Sequence, residues 1–357
     1  MTKLFSVVLP YVLLVSFHTP PFSGFGPNGL NAITGAGYDG VAVPLTGAYD
    51  TKRYSYETFA GRVKALNAGS RKDVWPWVFF NRFIGYDEGG RSLSKDSQHI
   101  YFRSIKGMDL YDEWGALGDF YDIWRASLKI AKELGSPGIV LDPEAYNNYD
   151  AYRVSYVAGE LGRSEKEVME RLTEIGRELG RMAGEIYPDA VIWLLFSGFA
   201  SPIKGPNPLA EKEQFTVTYI IEGMLEYAEK NAPKMVVVSG GEASLGYCAK
   251  SLEDLRERIA KRGEKFEKPL EEYPNLKLGG TISPWGGGAA KSGWMTKGVC
   301  GKSSLKRASD FAPLVAELKK SYGYVWIYAA AAAGYDPYDV KKSAPFNTML
   351  RETANEN

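Results

Sequence analysis

The feature that most constrains the fold of this chain is a regular alternation of short apolar runs with segments of helical periodicity. Eight of these runs are almost entirely apolar, as is typical of strands buried on both faces of a parallel sheet. Strands that alternate with helices predict an α/β protein. The runs cover residues 11–17, 40–45, 74–80, 138–142, 191–196, 235–240, 278–285 and 324–329.

Helical segments separate the apolar runs. One of them opens with Ser164 and Glu167 at the spacing of a capping box and stops before Pro188. The stretch FTVTYII (215–221) also fits a strand, but its 3.6-residue periodicity continues through the following residues, so we predict a helix that carries Glu222 on its face. The predicted helices cover 27–37, 55–69, 118–135, 164–188, 216–233, 251–266, 303–323 and 344–354.

Eight strands with helices between them predict a single (β/α)8 barrel, or TIM barrel, that takes up residues 1–357 as one catalytic domain. By length alone, two domains are the other possibility. A doubly wound open sheet is the alternative architecture, but no G-x-G-x-x-G follows the first run. The longest irregular segment, 85–117, makes an extended loop between the third strand and the third helix, and such loops stand on the active face.

The first 17 residues, MTKLFSVVLPYVLLVSF, allow two interpretations. A lysine followed by an apolar run resembles a secretory signal peptide. Pro10 interrupts that run and no small-x-small cleavage site follows, so we predict a first barrel strand at 11–17. The sequence leaves localisation open, and export to the periplasm or the exterior, with the signal outside this chain, is one of the possibilities. No stretch of 18 uninterrupted apolar residues is present, so we predict no transmembrane helix.

Charge and metal-binding residues exclude several classes of partner. The 43 basic and 43 acidic residues balance, and neither forms a long block, so neither nucleic acid nor an anionic membrane is expected. Only two histidines occur, without an H-E-x-x-H motif, so we predict no metal and no other cofactor. Cys248 and Cys300 lack metal-ligand spacing; buried free thiols and a disulfide both remain open. Nothing indicates an oligomeric state.

Polar and aromatic residues follow several of the predicted strands, where the catalytic groups of barrels sit. The fourth run continues as GIVLDPEAYNNY (138–149), which places two carboxylates one residue apart. No strand end offers a histidine base, a cysteine nucleophile beside histidine or a Schiff-base lysine. The strand ends deliver Asn81 and Arg82, Asp142, Glu144 and Tyr146, Glu242 and Tyr247, Trp285, and Tyr328.

Two carboxylates are what the cleavage of a glycosidic bond requires. We therefore predict Glu144 as the general acid/base and Glu242 as the nucleophile or water-activating base. Asp142 would tune Glu144, since neighbouring carboxyls resist a second negative charge. Aromatic rings stack on sugar faces while Asn and Arg fix hydroxyls. The predicted substrate-binding residues are Asn81, Arg82, Tyr146, Tyr247, Trp285 and Tyr328.

Structural roles for the same residues also remain open. Arg82 can be an ion-pair partner of Asp142, and Gly-Gly-Glu at 240–242 can be a plain turn. Trp285 and Tyr328 can belong to the core, as we expect of Trp75, Trp77 and Trp193.

The chain resembles a TIM-barrel glycoside hydrolase in Asp142, Glu144, Glu242, Trp285 and Trp326. Its D-x-E resembles the last part of the chitinase-type strand-4 motif, in which the Glu is the acid and the Asp assists an N-acetyl group. GIVLDPEAY lacks the earlier Asp of that motif. A strand-4 acid paired with a strand-6 acid resembles barrels that cleave galactosides or galactosaminides. The resemblance implies a glycosidase acting on an oligo- or polysaccharide.

Two other functions are compatible with the same barrel. A carbohydrate-binding TIM barrel would keep the cleft without turnover. A phosphosugar isomerase or aldolase is less well supported, because no strand-end lysine is present and PWGGGAAKSGW (284–294) does not match the P-loop pattern. The sugar, its linkage, exo or endo action and the stereochemical outcome are left open by the sequence.

Overall fold

A parallel β-sheet forms the centre of the protein, whose computed structural model describes residues 10–16, 19–46, 54–67, 73–79, 91–93, 100–102, 110–111, 116–143, 152–195, 197, 215–245, 247, 249, 251–284, 306–329 and 337–355. The strands in chain order are β1 (Tyr11–Val15), β2 (Gly40–Pro44), β3 (Val74–Phe79), β4 (Arg91–Leu93), β5 (Ile100–Phe102), β6 (Gly138–Asp142), β7 (Val191–Leu194), β8 (Val236–Ser239), β9 (Leu276–Leu278), β10 (Gly280–Ile282) and β11 (Tyr324–Tyr328).

Helices alternate with these strands along the chain. The helices are α1 (Pro27–Gly35), α2 (Tyr56–Leu66), α3 (Ala116–Leu134), α4 (Val154–Leu161), α5 (Glu165–Ile186), α6 (Thr216–Asn231), α7 (Glu242–Leu245), α8 (Leu252–Glu272), α9 (Ala308–Ser321) and α10 (Val340–Asn355). Among the described residues, no helix is long and apolar enough to cross a membrane.

The sheet closes on itself. Its strand order is β10-β11-β1-β2-β3-β6-β7-β8-β9, and neighbouring strands pair in parallel. The two strands at the ends of this order, β9 and β10, are consecutive in the chain and separated by Gly279 alone. The segment Leu276–Ile282 therefore bridges β8 to β11 as one interrupted strand, which completes a ring of eight. The predicted (β/α)8 barrel is confirmed.

Gly279 lies where two neighbouring strands leave no room for a side chain. A Cβ at this position would come within 2.9 Å of Val238 Cγ1 and 3.0 Å of the Tyr324 carbonyl oxygen. Its own N–H donates to the Ser239 carbonyl at 2.8 Å. A glycine is needed here because the barrel wall turns from β8 toward β11 at this point.

The barrel interior is filled by large aromatic side chains. Trp75, Trp77, Trp193 and Trp326 pack together with residues from β1 and β8 in one buried cluster. The filling role predicted for the first three tryptophans is confirmed. At the amino-terminal end Trp75 Nε1 donates to Tyr11 Oη at 2.9 Å. Burial raises the pKa of Tyr11, so this phenol stays protonated and closes the bottom of the barrel.

Several predicted elements are confirmed in detail. β1 lies between β11 and β2, so the strand interpretation is confirmed for residues 11–15, whereas Phe17 lies outside the described residues. The capping box of α5 is present, with Ser164 Oγ accepting from the Glu167 N–H and the Glu167 side chain accepting from the Ser164 N–H. FTVTYII belongs to α6, so Glu222 lies on a helix.

Other elements differ from the prediction. α4 and the one-turn α7 were not expected, and β4 and β5 form an antiparallel hairpin inside the segment 85–117. α8 continues six residues past the predicted end, with Pro269 inside the helix, where it removes a single N–H donor. The seventh strand begins at Leu276, two residues earlier than predicted, because the polar Lys277 interrupts its apolar run.

Candidate active site

The described part of the chain contains four of the nine predicted site residues. Asp142, Glu242, Tyr247 and Tyr328 all lie at or just beyond the carboxyl ends of barrel strands. The other five predicted site residues lie outside the described residues: Asn81, Arg82, Glu144, Tyr146 and Trp285. Both cysteines, Cys248 and Cys300, also lie outside them.

Asp142 is the last residue of β6 and is fully buried, with 0% of its surface exposed. Along β6, Ile139 and Leu141 face the layer between the strands and the helices, whereas Val140 belongs to the barrel interior. Because side chains alternate along a strand, Asp142 turns toward the interior. In the pairing with β3 it is level with Phe79. It is therefore a carboxyl in the uppermost layer of the barrel.

Glu242 is held by a tight turn after β8. The Gly240 N–H donates to the Leu194 carbonyl at 2.7 Å, and the Glu242 N–H donates to the Leu195 carbonyl at 3.1 Å. A Cβ on Gly240 would lie 2.4 Å from the Leu194 oxygen, and Gly241 has a φ of +93°. Both glycines are therefore required by the backbone. The Gly-Gly-Glu stretch is a turn, and it fixes Glu242 against the end of β7.

Tyr247 connects Glu242 to the barrel interior. Its hydroxyl donates a hydrogen bond to Glu242 Oε1. Its ring stacks on Tyr328 with the centroids 5.1 Å apart, and meets Trp326 edge-on at 5.7 Å. Trp326 Nε1 in turn donates to the Gly240 carbonyl at 2.9 Å. Two aromatic residues of β11 thus support the turn and the tyrosine that hold the carboxylate.

Tyr247 and Tyr328 are each only 3% exposed. The two rings stack on each other, and each also meets Trp326 edge-on. Both were predicted as substrate-binding residues, with a core position as the alternative for Tyr328, and the substrate-binding role stays a prediction. In the structure their stacked rings support Glu242 through the Tyr247 hydroxyl.

A buried polar network behind Glu242 was missed by the sequence prediction. Ser197 Oγ and Ser239 Oγ lie 2.8 Å apart, which connects the ends of β7 and β8. Arg262 of α8 donates from Nη2 to the Ser239 carbonyl at 2.6 Å. A signal for Arg262 was present: it falls seven residues after Leu255 and four before Phe266, on the buried face of α8.

Asp142 and Glu242 stand at the same end of the barrel, two strands apart. Leu141 pairs with Leu194, and Leu194 with Ser239, so the ends of β6, β7 and β8 are level. Twice the spacing of neighbouring strands puts the backbones of β6 and β8 about 10 Å apart. Among the residues that the structure describes, no group of His, Cys, Asp and Glu is arranged to hold a metal ion. The described site thus offers carboxyl and phenol groups for chemistry.

Glu222 lies on a different face of the molecule. Together with Glu226 and Arg177 it lines a groove of about 420 Å³ along α5 and α6. Burial, followed by repulsion from Glu272 and Glu226, raises its pKa to about 7. Its neighbour Glu272 ends α8 just before β9 begins, so this perturbed acid lies toward the amino-terminal ends of the strands, away from Asp142 and Glu242.

No family model and no curated protein matches this chain. Similar solved structures include a glycoside hydrolase family 5 enzyme from Prevotella bryantii B14, with 13% identity, coverage of 98% of this chain and 97% of that one, and a TM-score of 0.49.

Two further similar structures are also glycoside hydrolases. A GH5 family lichenase from Caldicellulosiruptor sp. F32 has 9% identity, 96% and 93% coverage of this chain and that one, and a TM-score of 0.47. The GH18 chitinase ChiB of Flavobacterium johnsoniae has 10% identity, 97% and 94% coverage, and a TM-score of 0.41. All three TM-scores lie below 0.5, so fold and function here depend on the strands and side chains of this chain itself.

Proposed function

We propose that the chain is a glycoside hydrolase that cleaves a glycosidic bond with two carboxylates at the carboxyl end of its barrel. The observation that carries this proposal is the Glu242 carboxylate, which accepts a hydrogen bond from Tyr247 just beyond β8. Asp142 ends β6 at the same level and faces the interior. Acids that converge from different strand ends are the groups that glycosidic cleavage uses.

Each acid has a separate role in the proposed reaction. Glu144, two residues after Asp142 in the sequence, protonates the leaving oxygen. Asp142 disfavours a second negative charge beside it and so keeps Glu144 protonated until it acts. Glu242 attacks the anomeric carbon or removes a proton from the attacking water. Its bond from Tyr247 favours the ionised form that either task needs.

The substrate is proposed to be an oligo- or polysaccharide lying across the strand ends. Asn81 and Arg82 would bind hydroxyl groups, while Tyr146 and Trp285 would stack on sugar faces. Tyr247 and Tyr328 would then hold Glu242 in position from the barrel interior, because their rings are packed against each other. No metal or other cofactor takes part in this scheme.

The stereochemical outcome depends on the distance between the two working carboxyls. About 5–5.5 Å corresponds to retention, and about 6.5–9.5 Å leaves room for a water and gives inversion. Strand ends about 10 Å apart are compatible with either separation. The configuration of the first product, followed by proton NMR, distinguishes them.

The test is product release from a panel of glycans and aryl glycosides by the wild type, Glu144→Gln and Glu242→Gln. Glu222→Gln is the matched control, since it makes the same change on α6. We expect both active-site variants to lose at least about a hundredfold in kcat, and the control to keep its activity. Turnover of a true substrate by Glu144→Gln at the wild-type rate contradicts the proposal.

One further outcome identifies the second candidate. Saccharide binding without product, unchanged in Glu144→Gln and Glu242→Gln, indicates a carbohydrate-binding barrel that lacks turnover. Isothermal titration with the same panel measures this directly.

A further inference from the structure

Arg262 is a charged side chain in the protein interior, with only 1% of its surface exposed. It projects from α8 toward the ends of β8 and β10. Nη2 donates to the Ser239 carbonyl at 2.6 Å and to Ser239 Oγ at 3.2 Å, and Nη1 donates to the Gly279 carbonyl. The guanidinium therefore ties together two neighbouring parts of the barrel wall by their backbone oxygens.

Burying a guanidinium is costly, and its partners here carry no formal charge. Burial lowers the pKa of Arg262, although an arginine stays protonated under all ordinary conditions. Two rings partly compensate: Phe266 and Tyr322 lie 5.2 and 5.3 Å from Cζ. Buried charges are generally retained where an opposite charge is close. An acid close to Arg262 is therefore expected.

Gly241 also lies beside the guanidinium. A Cβ added to Gly241 would lie 3.2 Å from both Cζ and Nη1 of Arg262. Gly241 adopts a left-handed φ of +93°, and Glu242 follows it directly. Arg262 thus sits against the turn that carries the Glu242 carboxylate, and any side chain at 241 would displace one or the other.

One helical turn earlier, Arg258 contacts the other end of the same segment. Its Nη1 donates to the Leu245 carbonyl, the last residue of α7, at 3.0 Å, while Nε donates to Asp254 Oδ1 at 2.8 Å. Residues four apart lie on one face of a helix. α8 therefore lies against both ends of the segment 241–245, with Arg262 packed beside Gly241 and Arg258 bonded to Leu245; we call this pair of arginines the α8 clamp.

The charges around α7 are mostly positive. α8 contributes Arg258, Arg262 and Asp254, and Lys306, which donates to the Ser283 carbonyl at 3.0 Å, lies before α9. Two neutral phenols also face α7: Tyr247 from the segment that follows it and Tyr328 from β11. Arg258, Arg262 and Lys306 outnumber the carboxylates of Asp254 and Glu242, although Asp254 pairs with Arg258 and burial lowers the pKa of Lys306 to about 8. The surroundings of Glu242 therefore carry a small excess of positive charge.

We propose that Arg262 is a positioning residue for Glu242: the α8 clamp fixes the turn that bears the carboxylate, and the Arg262 charge keeps that carboxylate ionised. The catalytic meaning of this inference rests on the proposed glycosidase function. The physical coupling between Arg262 and Glu242 does not, and it can be measured without a substrate.

The first measurement is a carboxyl 13C NMR titration of protein labelled at glutamate, with the Glu242 resonance assigned by its loss in Glu242→Gln. Arg262→Met removes the charge and Arg262→Lys keeps it. Arg256→Met is the control, since Arg256 lies on the same helix in an exposed pair with Glu317. We expect the midpoint of the Glu242 titration to move to higher pH in Arg262→Met, less in Arg262→Lys and not at all in Arg256→Met.

The second measurement uses a substrate of the wild type. Arg262→Met should lower kcat by about tenfold or more with KM changed less than about threefold, since the carboxylate acts in the transition state. The acid limb of the pH profile should move with the NMR midpoint, and Arg262→Lys should restore part of kcat.

The outcomes separate the two proposals. An unchanged Glu242 titration in folded Arg262→Met overturns the inference, whatever the activity. A shifted titration in a protein with no substrate on the panel supports the coupling and counts against the hydrolase. If Arg262→Met does not fold, Arg262→Lys and Arg258→Met carry the test, with smaller shifts expected in the same direction; unchanged midpoints in both overturn the inference.

Discussion

The hydroxyl of Tyr247 donates a hydrogen bond to Oε1 of Glu242, five residues earlier in the chain. The ring that carries this hydroxyl is stacked on Tyr328, and so cannot turn away without unpacking the top of the barrel. The carboxylate thus has a donor whose orientation is set by the interior of the barrel. Pre-positioned groups of this kind are what an active site needs, because they require no reorganisation during the reaction.

Tyr247→Phe is expected to reduce activity with little effect on folding. The change removes the donor to Glu242 and leaves the ring stacked. We expect kcat to fall by about tenfold or more and the acid limb of the pH profile to move to higher pH, because the ionised carboxylate loses a hydrogen bond. The loss in unfolding free energy should be about 1 kcal/mol. Steady-state kinetics across pH and urea denaturation measure the two effects.

Tyr187→Phe is the matched control for that change. Tyr187 Oη donates to the Ser136 carbonyl at 2.8 Å, near the amino-terminal end of β6 and away from the strand ends that carry the acids. The same hydroxyl is lost and a comparable fall in stability is expected. If both variants lose activity equally, the effect is one of folding, and Tyr247 has no special relationship with Glu242.

Gly240→Ala is expected to displace Glu242. The new methyl group would lie 2.4 Å from the Leu194 oxygen and 2.7 Å from the Leu195 oxygen, so the turn must move away from β7. We expect about 2–4 kcal/mol of destabilisation and a loss of kcat in the remaining folded protein. Thermal unfolding and kinetics at low temperature check both expectations.

Gly61→Ala serves as the control for an added methyl. Among the described residues, no atom outside its own helix lies within 4 Å of the Cβ that this change would place on α2. A glycine replaced by alanine inside a helix gains about 0.5–1 kcal/mol. A Gly240→Ala protein as stable and active as Gly61→Ala would show that the turn tolerates a side chain.

The architecture was predictable because each strand has a strong local signal. The run GIVLD of β6 is buried on both faces, so its sequence is apolar up to the terminal Asp142, and helical periodicity frames it on either side. Elements without a full period escaped prediction. α7 has four residues, and β4 and β5 have three each, which is too short for any pattern to repeat.

The candidate site was predictable only in part. Acids at strand ends follow from the architecture, and Asp142 and Glu242 are where that reasoning put them. The contacts among side chains do not follow, because they join residues distant in sequence: Trp326 contacts Gly240, and Arg262 contacts Ser239. Sequence position indicates which end of the barrel a residue reaches, and packing decides what it touches there.

Gly223→Ala tests a structural contact remote from the site. α5 and α6 cross backbone to backbone, so that a Cβ on Gly223 would lie 2.0 Å from the Thr173 carbonyl oxygen. The helices must separate to admit a methyl group, and we expect about 3 kcal/mol of destabilisation. Gly159→Ala on α4 is the control, since the Cβ there meets no described atom within 4 Å. Equal midpoints of urea unfolding for the two variants contradict this packing.

Glu222 is expected to make stability depend on pH. Its pKa is raised from about 4.5 to about 7, so the folded state binds this proton more tightly than the unfolded state. The free energy of unfolding therefore falls as pH rises through this window, and the loss is complete above about pH 7. Partial exposure screens the charge, so the contribution should be on the order of 1 kcal/mol.

Glu222→Gln should remove that dependence. The variant is expected to be more stable than wild type at pH 8 and similar to it at pH 4, measured by urea midpoints at each pH. Glu229→Gln, an exposed position on the same helix, controls for the change in net charge. Parallel pH profiles for Glu222→Gln and wild type would rule out Glu222 as the titrating group.

Asp142→Asn is expected to change the pKa of the proposed general acid, Glu144, and to leave that of Glu242 unchanged. Asparagine keeps the shape of a fully buried side chain and removes its negative charge. Glu144, two residues on, would then lose its proton more readily, so the basic limb of the pH profile should move to lower pH and kcat should fall by about tenfold or more. Glu242 should keep its titration, because it lies two strands away, in the turn after β8 that packs against the α8 clamp. Asp122→Asn, on α3 beside Arg125, is the control and should leave the profile unchanged. A shift of the acid limb alone in Asp142→Asn would mean that Asp142 acts on Glu242, and the assignment of acid and base would have to be reversed.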